Sequence, residues 1–186
     1  FLHVTGLQKG SLKNQLETFT TRLGVTFYQG APLKPYKRWM DALEALSQAI
    51  AKTPKSEKIV IFLDELPWMA TPRSRLLMAL ELYWNQHWVF DQRIKLIICG
   101  SATSWIINNI INDKGGLHNR VTRTIHLQPF SLSEVESYLQ EKKIKLSHRQ
   151  ILDLYVVLGG VPLYWFWVRK GKTAHEMIDE LCFQKG

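Results

Sequence analysis

The stretch Ile59-Val60-Ile61-Phe62-Leu63-Asp64-Glu65-Leu66-Pro67-Trp68 constrains this chain more than any other. Five consecutive apolar residues, mostly β-branched or aromatic, predict a strand buried on both faces, as in the middle of a parallel sheet. Two adjacent carboxylates stand where that strand ends, and Pro67 stops it. Burying a carboxylate pair is costly unless a metal ion or a proton transfer offsets the cost. The pair therefore points to a metal-assisted phosphate site. A plainer reading, two acids that open a loop and cap the next helix, accounts for the same residues, so the rest of the chain has to decide.

The pattern around this strand alternates. Phe1 to Thr5 reads as a strand ended by Gly6. Ser11 caps a helix to about Arg22 with Leu12, Leu16, Phe19 and Leu23 at helical spacing. Val25 to Tyr28 reads as a short strand. Pro35 is placed to start a helix with Trp39, Leu43, Leu46 and Ile50 as its apolar stripe, closed by Thr53-Pro54. A helix from Arg73 to about His87, a buried strand at Lys95–Cys99, a short helix from Ser104 to Ile111 and a strand at Thr124–Leu127 follow. This spacing predicts βαβ units in an α/β fold with a three-layer parallel sheet.

After Phe130 the pattern is helical only. Capping boxes open helices at Ser131 and Ser147, Gly159-Gly160 stops the second, and Pro162 to Arg169 and Thr173 to Phe183 are also helical in pattern. The expected organisation is an α/β core over residues 1–130 and a small helical lid over 131–186.

With 186 residues and a net charge of +8, the chain has the length of one domain and favours anionic partners. Its basic residues form only local clusters, at Lys34-Tyr36-Lys37-Arg38, Lys142-Lys143-Lys145 and Arg169-Lys170-Lys172. No apolar run approaches a membrane span, and no secretory signal pattern opens the chain. Two cysteines, Cys99 and Cys182, make no disulfide framework, and Cys99 reads as a small core residue. A reducing, cytoplasmic setting is the simplest inference. Because the chain opens at Phe1 inside a strand-like run, it reads as a piece of a longer protein.

Several short blocks recur in order: Leu63-Asp64-Glu65-Leu66-Pro67-Trp68, Cys99-Gly100-Ser101-Ala102, Gly116-Leu117-His118-Asn119-Arg120, Leu127-Gln128-Pro129-Phe130 and Gly159-Gly160-Val161-Pro162. In this order the chain resembles the AAA+/STAND-type P-loop ATPases, and within them the archaeal-type ATPase family. The resemblance covers nearly the whole chain. It implies ATP and Mg²⁺ as cofactors and makes Asp64-Glu65 a Walker B pair. Asp64 would help bind the metal, and Glu65 would orient the water that attacks the γ-phosphate. Ser101 matches the sensor position and Arg120 the arginine finger, with Arg123 as the alternative. Gly160 and Pro162 match a signature that lines the adenine pocket. The residues also have plainer readings: Ser101 as a helix N-cap, the arginines as solvated charges, and Gly160-Val161-Pro162 as a helix stop and restart.

One departure stands out. The chain contains no G-x-x-x-x-G-K-[ST] phosphate loop. Gly6-Leu7-Gln8-Lys9-Gly10-Ser11 has the wrong spacing and follows what resembles the family's second strand. The first strand and the phosphate loop are expected before Phe1. That strand would lie between the Lys95–Cys99 and Thr124–Leu127 strands, so a gap or a rearrangement is expected there, with nucleotide binding impaired.

The first reading is an ATPase module acting as a nucleotide-driven switch, with a homo-oligomer or a C-terminal effector domain as partner. The alternative is a non-catalytic binding or scaffold module, with nucleic acid as the candidate partner. A third, a metal-dependent hydrolase using Asp64 with His87 or His118, lacks paired-histidine spacing.

Overall fold

A computed structural model describes residues 1–112, 117 and 120–184 of the chain. Gly115-Gly116, His118 and Asn119 lie outside the described residues. The chain divides into two compact units, Phe1–Arg123 and the residues from Thr124 on.

The first unit is built on a parallel sheet of order β1-β2-β3, with β1 Leu2–Thr5, β2 Ile59–Asp64 and β3 Ile94–Ile98. The carboxylate-bearing strand is the central one. Leu2 pairs with Ile61 and Thr5 with Asp64 on one side, and Ile61 pairs with Leu96 on the other. Helices α1 (Leu12–Phe27) and α2 (Trp39–Lys52) connect β1 to β2. A single-turn α3 (Leu66–Met69) and α4 (Leu76–Gln86) lead to β3. After β3, α5 (Thr103–Ile106) runs into a π-helical turn, Ile107–Ile111.

The core explains the register. Leu2, Val4, Ile59, Ile61 and Leu63 are buried in one cluster with Leu16, Phe19 and Leu23 of α1 and Trp39, Leu43 and Leu46 of α2. Phe19 meets Trp39 edge to face, with ring centroids 5.4 Å apart, an arrangement that adds about 0.5–1.5 kcal/mol to the burial itself. Tyr83 of α4 donates a 2.8 Å hydrogen bond to Glu44 of α2, and Trp88 Nε1 donates to Ser47 Oγ at 2.9 Å. Burial, then this bond to a carboxylate, pushes the Tyr83 hydroxyl up to about 12.

Several expectations need correction. The β2 pattern alternates, with Val60 and Phe62 only half-buried, because the helical core occupies a single face of the sheet. On the other face Ile97 is 46% exposed, and Cys99 is exposed rather than a core residue. Val25–Tyr28 forms no strand: α1 continues to Phe27, its last turn closed by Tyr28 N–H donating to Gly24 O at 3.0 Å, and the Ala31 carbonyl packs against Gly24. Pro35 does not start α2, which begins four residues later at Trp39 after the extended Arg38. The helix expected from Arg73 begins at Leu76, after Arg75 in a left-handed conformation. Thr124–Leu127 forms no strand, and Ile125 and Leu127 are largely exposed. Among the described residues β3 pairs with β2 alone.

Arg93, 8% exposed, ties the lower end of the sheet to α2. Its guanidinium donates to the carbonyls of Thr53 and Pro54 at 3.0 and 2.9 Å, satisfying groups at the helix C-terminus. Its other nitrogens hold Asp91 at 2.6–3.2 Å.

In the second unit, α6 (Leu132–Glu141), α7 (His148–Leu158), α8 (Pro162–Phe166) and α9 (Ala174–Cys182) surround Leu139, Leu154, Trp165 and Met177. Capping boxes open α6, α7 and α9. Gly160 closes the unit on the extended segment that enters it: a Cβ there would lie 2.0 Å from the Phe130 carbonyl oxygen, and Phe130 N–H donates to Gly160 O at 2.7 Å.

The Arg93 hydrogen bonds, ahead of the other causes, hold the Asp91 carboxyl down at about 2. Its folded value lies below the unfolded ~3.9, so its contribution to stability is present above about pH 4. That contribution falls away as the pH drops toward 2. Asp91→Asn is expected to remove that part of the acid dependence, seen as a flatter urea midpoint between about pH 4 and pH 2. Gly160→Ala is expected to destabilise the helical unit by about 1–3 kcal/mol, read by hydrogen exchange at Phe130 and Trp165.

Candidate functional site

Where parallel strands end, their carboxyl ends open a crevice that binds ligands in many α/β proteins. Asp64 is the last residue of β2, and Glu65 immediately follows it. The parallel pairing continues past the strands and grips this turn from both sides. Gly6 N–H donates to Asp64 O at 2.8 Å, Cys99 N–H to Leu63 O at 3.0 Å, and Leu66 N–H to Cys99 O at 3.0 Å. Two glycines make that closeness possible. A Cβ on Gly6 would lie 2.5 Å from the Glu65 carbonyl oxygen, and one on Gly100 would lie 2.7 Å from Pro67 Cδ.

Glu65 has a left-handed backbone, φ 51° and ψ 47°. A non-glycine residue in that region stores strain that its surroundings must sustain, and such residues gather at functional sites. The turn aims its side chain at the tip of β3. Ser101 N–H donates to the carboxylate at 3.2–3.3 Å, and Ser101 Oγ donates to Oε2 at 3.1 Å. The sequence-predicted Glu65 and Ser101 are therefore in direct contact.

Asp64 has a different setting. Thr5 Oγ1, its partner across β1, donates to Asp64 Oδ2 at 3.2 Å, and His3 Nε2 lies 3.7 Å from the same oxygen. Cys99 is hydrogen-bonded to Asp64 from the β3 side. Desolvation first, then the Asp64 charge and this hydrogen bond, raises the Cys99 thiol above its ordinary value, which keeps it protonated. Thr5 and His3 are not singled out by sequence, and Cys99 reads in it only as a core residue. The parallel register reveals them, since it sets Thr5 opposite Asp64.

The donor set suits a hard divalent cation. Among the described residues no group of three or more His, Cys, Asp or Glu side chains could hold a metal. Mg²⁺ is commonly held by one or two carboxylates together with substrate phosphates and water, rather than by an all-protein cage, and two carboxylates at a strand end fit that role. His87 stacks on Tyr83 instead of joining a ligand cluster, and His118 lies outside the described residues.

The Gly6–Ser11 loop is no phosphate cradle. The amides of Gly6 and Leu7 donate inward, to Asp64 O and to Gln15 Oε1. The amides of Gly10 and Ser11 do the same, to Leu7 O and to Asn14 Oδ1. Gln15, 2% exposed, fastens the loop by also donating to Leu7 O at 2.7 Å. These backbone donors are already used.

Arg120 lies in the first unit, exposed, with Nε donating to Asn85 Oδ1 at the end of α4, 3.0 Å away. Arg123 is also exposed. Gly160 and Pro162 belong to the second unit. Gly160 packs on Phe130 and Pro162 is the first residue of α8.

No family model matches the chain. An uncharacterized protein of Methanocaldococcus jannaschii is 21% identical over 173 residues, covering 88% of this chain and 38% of that protein. The Walker-type ATPase of Pyrococcus abyssi has a similar structure, with a TM-score of 0.56 and 17% identity, over 96% of this chain and 51% of that one. The fold is thus α/β and similar to that of this Walker-type ATPase. The chain spans about half the length of that ATPase and less of the archaeal relative.

Both glycines beside the carboxylate turn should resist substitution. Gly6→Ala is expected to cost about 1–3 kcal/mol, because the atom it meets is backbone and overpacking cannot relax. A chemical denaturation series of Gly6→Ala, with Gly30→Ala as the comparison in open space, checks this.

Proposed function

We propose that this chain carries the carboxylate half of an ATP-hydrolysing site and works as part of a nucleotide-driven switch. The observation that carries the reading is the Asp64-Glu65 turn, set at the carboxyl end of the central parallel strand with Glu65 tethered to Ser101. The likeness to a Walker-type ATPase of Pyrococcus abyssi supports it.

In this reading Asp64 would hold Mg²⁺ together with the nucleotide phosphates, and the ion would supply charge neutralisation for phosphoryl transfer. Glu65 accepts a hydrogen bond from the attacking water and holds it in line. Ser101, whose N–H and O–H both address the Glu65 carboxylate, keeps that acceptor from swinging away. A rigid strand end suits this task, because phosphoryl transfer depends mostly on positioning and charge. Arg120, exposed and steadied by Asn85, is the finger offered to the nucleotide of a neighbouring copy, which makes a homo-oligomer the working form. Gly160 and Pro162 lie beside the exposed Val161, Leu163 and Tyr164, an apolar surface of the kind an adenine ring covers. The open face of the sheet is where a third layer belongs, and the helical unit is the lid. A C-terminal effector domain is the further partner this reading assigns, and a reducing, cytoplasmic setting agrees with the two free thiols.

The chain holds no G-x-x-x-x-G-K-[ST] phosphate loop, and the amides of Gly6, Leu7, Gly10 and Ser11 are used internally, so the chain by itself is expected to bind Mg·ATP weakly, without micromolar affinity in calorimetry. In the full-length protein, Glu65→Gln is expected to lower ATP turnover by about 100-fold or more while leaving nucleotide binding in place, the pattern of a lost group that acts only in the transition state. Unchanged turnover would refute the role given to Glu65. The net charge of +8 supports the second reading, a non-catalytic module that binds nucleic acid. Its mark would be DNA affinity that falls steeply with salt in a variant without turnover.

A further inference from the structure

β1 ends beside Asp64 with a short chain of polar groups that neither catalysis nor core packing explains. Residues 3 and 5 of a parallel strand share one face, and the register sets Thr5 against Asp64 and His3 against Phe62. The His3 ring stacks on Phe62, with centroids 4.8 Å apart and planes 14° apart. The strand's outer edge is pinned where Arg22 Nε donates to His3 O at 2.8 Å. The ring plane and the backbone of His3 are therefore both held.

Hydrogen bonding then fixes the direction of the chain. Thr5 Oγ1 has one proton and donates it to Asp64 Oδ2 at 3.2 Å. His3 Nε2 lies 3.2 Å from Thr5 Oγ1. With its proton committed to the carboxylate, the hydroxyl can only accept from the ring, so His3 carries a proton on Nε2. The same Nε2–H faces Asp64 Oδ2 at 3.7 Å, which favours this tautomer. The order is His3 Nε2–H to Thr5 Oγ1, and Thr5 O–H to Asp64 Oδ2.

We infer that His3 and Thr5 are positioning residues that hold the Asp64 carboxylate in a fixed rotamer, ready to receive a divalent cation. This inference rests on the reading of Asp64 as a metal-binding carboxylate. Neither residue touches the phosphates; each acts through Asp64. Outer partners of this kind orient a metal ligand before the ion arrives, and their loss typically weakens metal affinity by about 10–100-fold.

The test uses the ¹⁵N-labelled chain and MnCl₂ as the probe. At a pH where the imidazole is neutral, the His3 ring, assigned by its loss in His3→Phe, should show an Nε2–H signal. Thr5→Val should shift that signal and Thr5→Ser should restore it, whereas a purely structural threonine would leave it unmoved. Mn²⁺ titration, read by broadening of the Gly6 and Glu65 amides, should show at least about a tenfold weaker affinity for Thr5→Val and His3→Phe. Thr5→Ser should stay close to the parent chain. His3→Phe keeps an aromatic ring over Phe62, so the folded state is preserved, and amide dispersion verifies it. An Nδ1–H tautomer, or equal Mn²⁺ affinity in the parent and Thr5→Val, would overturn the inference. Absence of Mn²⁺ broadening in every variant would instead overturn the metal role of Asp64, and this inference with it.

Discussion

The hydrogen-bonded register of three parallel strands is what the candidate site depends on. Gly6 N–H to Asp64 O and Leu66 N–H to Cys99 O carry the pairing one step beyond the strands. They clamp a turn whose glutamate is left-handed. Without neighbours on both sides that backbone would relax, since strained residues persist only where the surroundings over-determine them. Central placement of β2 is therefore a mechanical requirement as well as a topological fact. An edge strand could not be held from both flanks.

The two carboxylates, adjacent in sequence, face different chemistry. Among the described residues Ser101 donates to Glu65, through one amide and one hydroxyl on the β3 side. Asp64 is addressed by Thr5 and His3 from β1 and by Cys99 from β3. The left-handed step between them turns their side chains apart, so that Thr5 Oγ1 donates to Asp64 and Ser101 donates to Glu65. The close approach of Gly6 and Gly100 to the turn keeps the pair beside the ends of β1 and β3.

The one-sided core has its own consequence. Helices α1, α2 and α4 share a single buried cluster with Leu2, Val4, Ile61 and Leu63. The opposite side of β2 stays half-buried, and β3 keeps an unpaired edge among the described residues. Thr124–Leu127, rich in β-formers, forms no strand. β propensity expresses itself only against a neighbour with free hydrogen-bonding groups and a surface to cover.

How much was legible beforehand follows the range of the interactions. Capping boxes at Ser131 and Ser147, the Trp39-Leu43-Leu46-Ile50 stripe and the strand before Asp64 are local patterns, and each appears in the fold. Asp64, Glu65 and Ser101 could be named from sequence because an apolar run ending in acids, or in Gly-Ser, marks a strand tip. Their contact could not, since it joins residues 36 positions apart through the strand register. Thr5 and His3 gave no signal, because their role exists only where β1 lies against β2. The Val25–Tyr28 reading failed because α1 runs on to Phe27, with Tyr28 N–H donating to the Gly24 carbonyl. Periodicity and capping determined the elements, because they act within a few residues. Only the tertiary structure decided which carboxylate each neighbouring strand holds, because that depends on which strands pair and in what register.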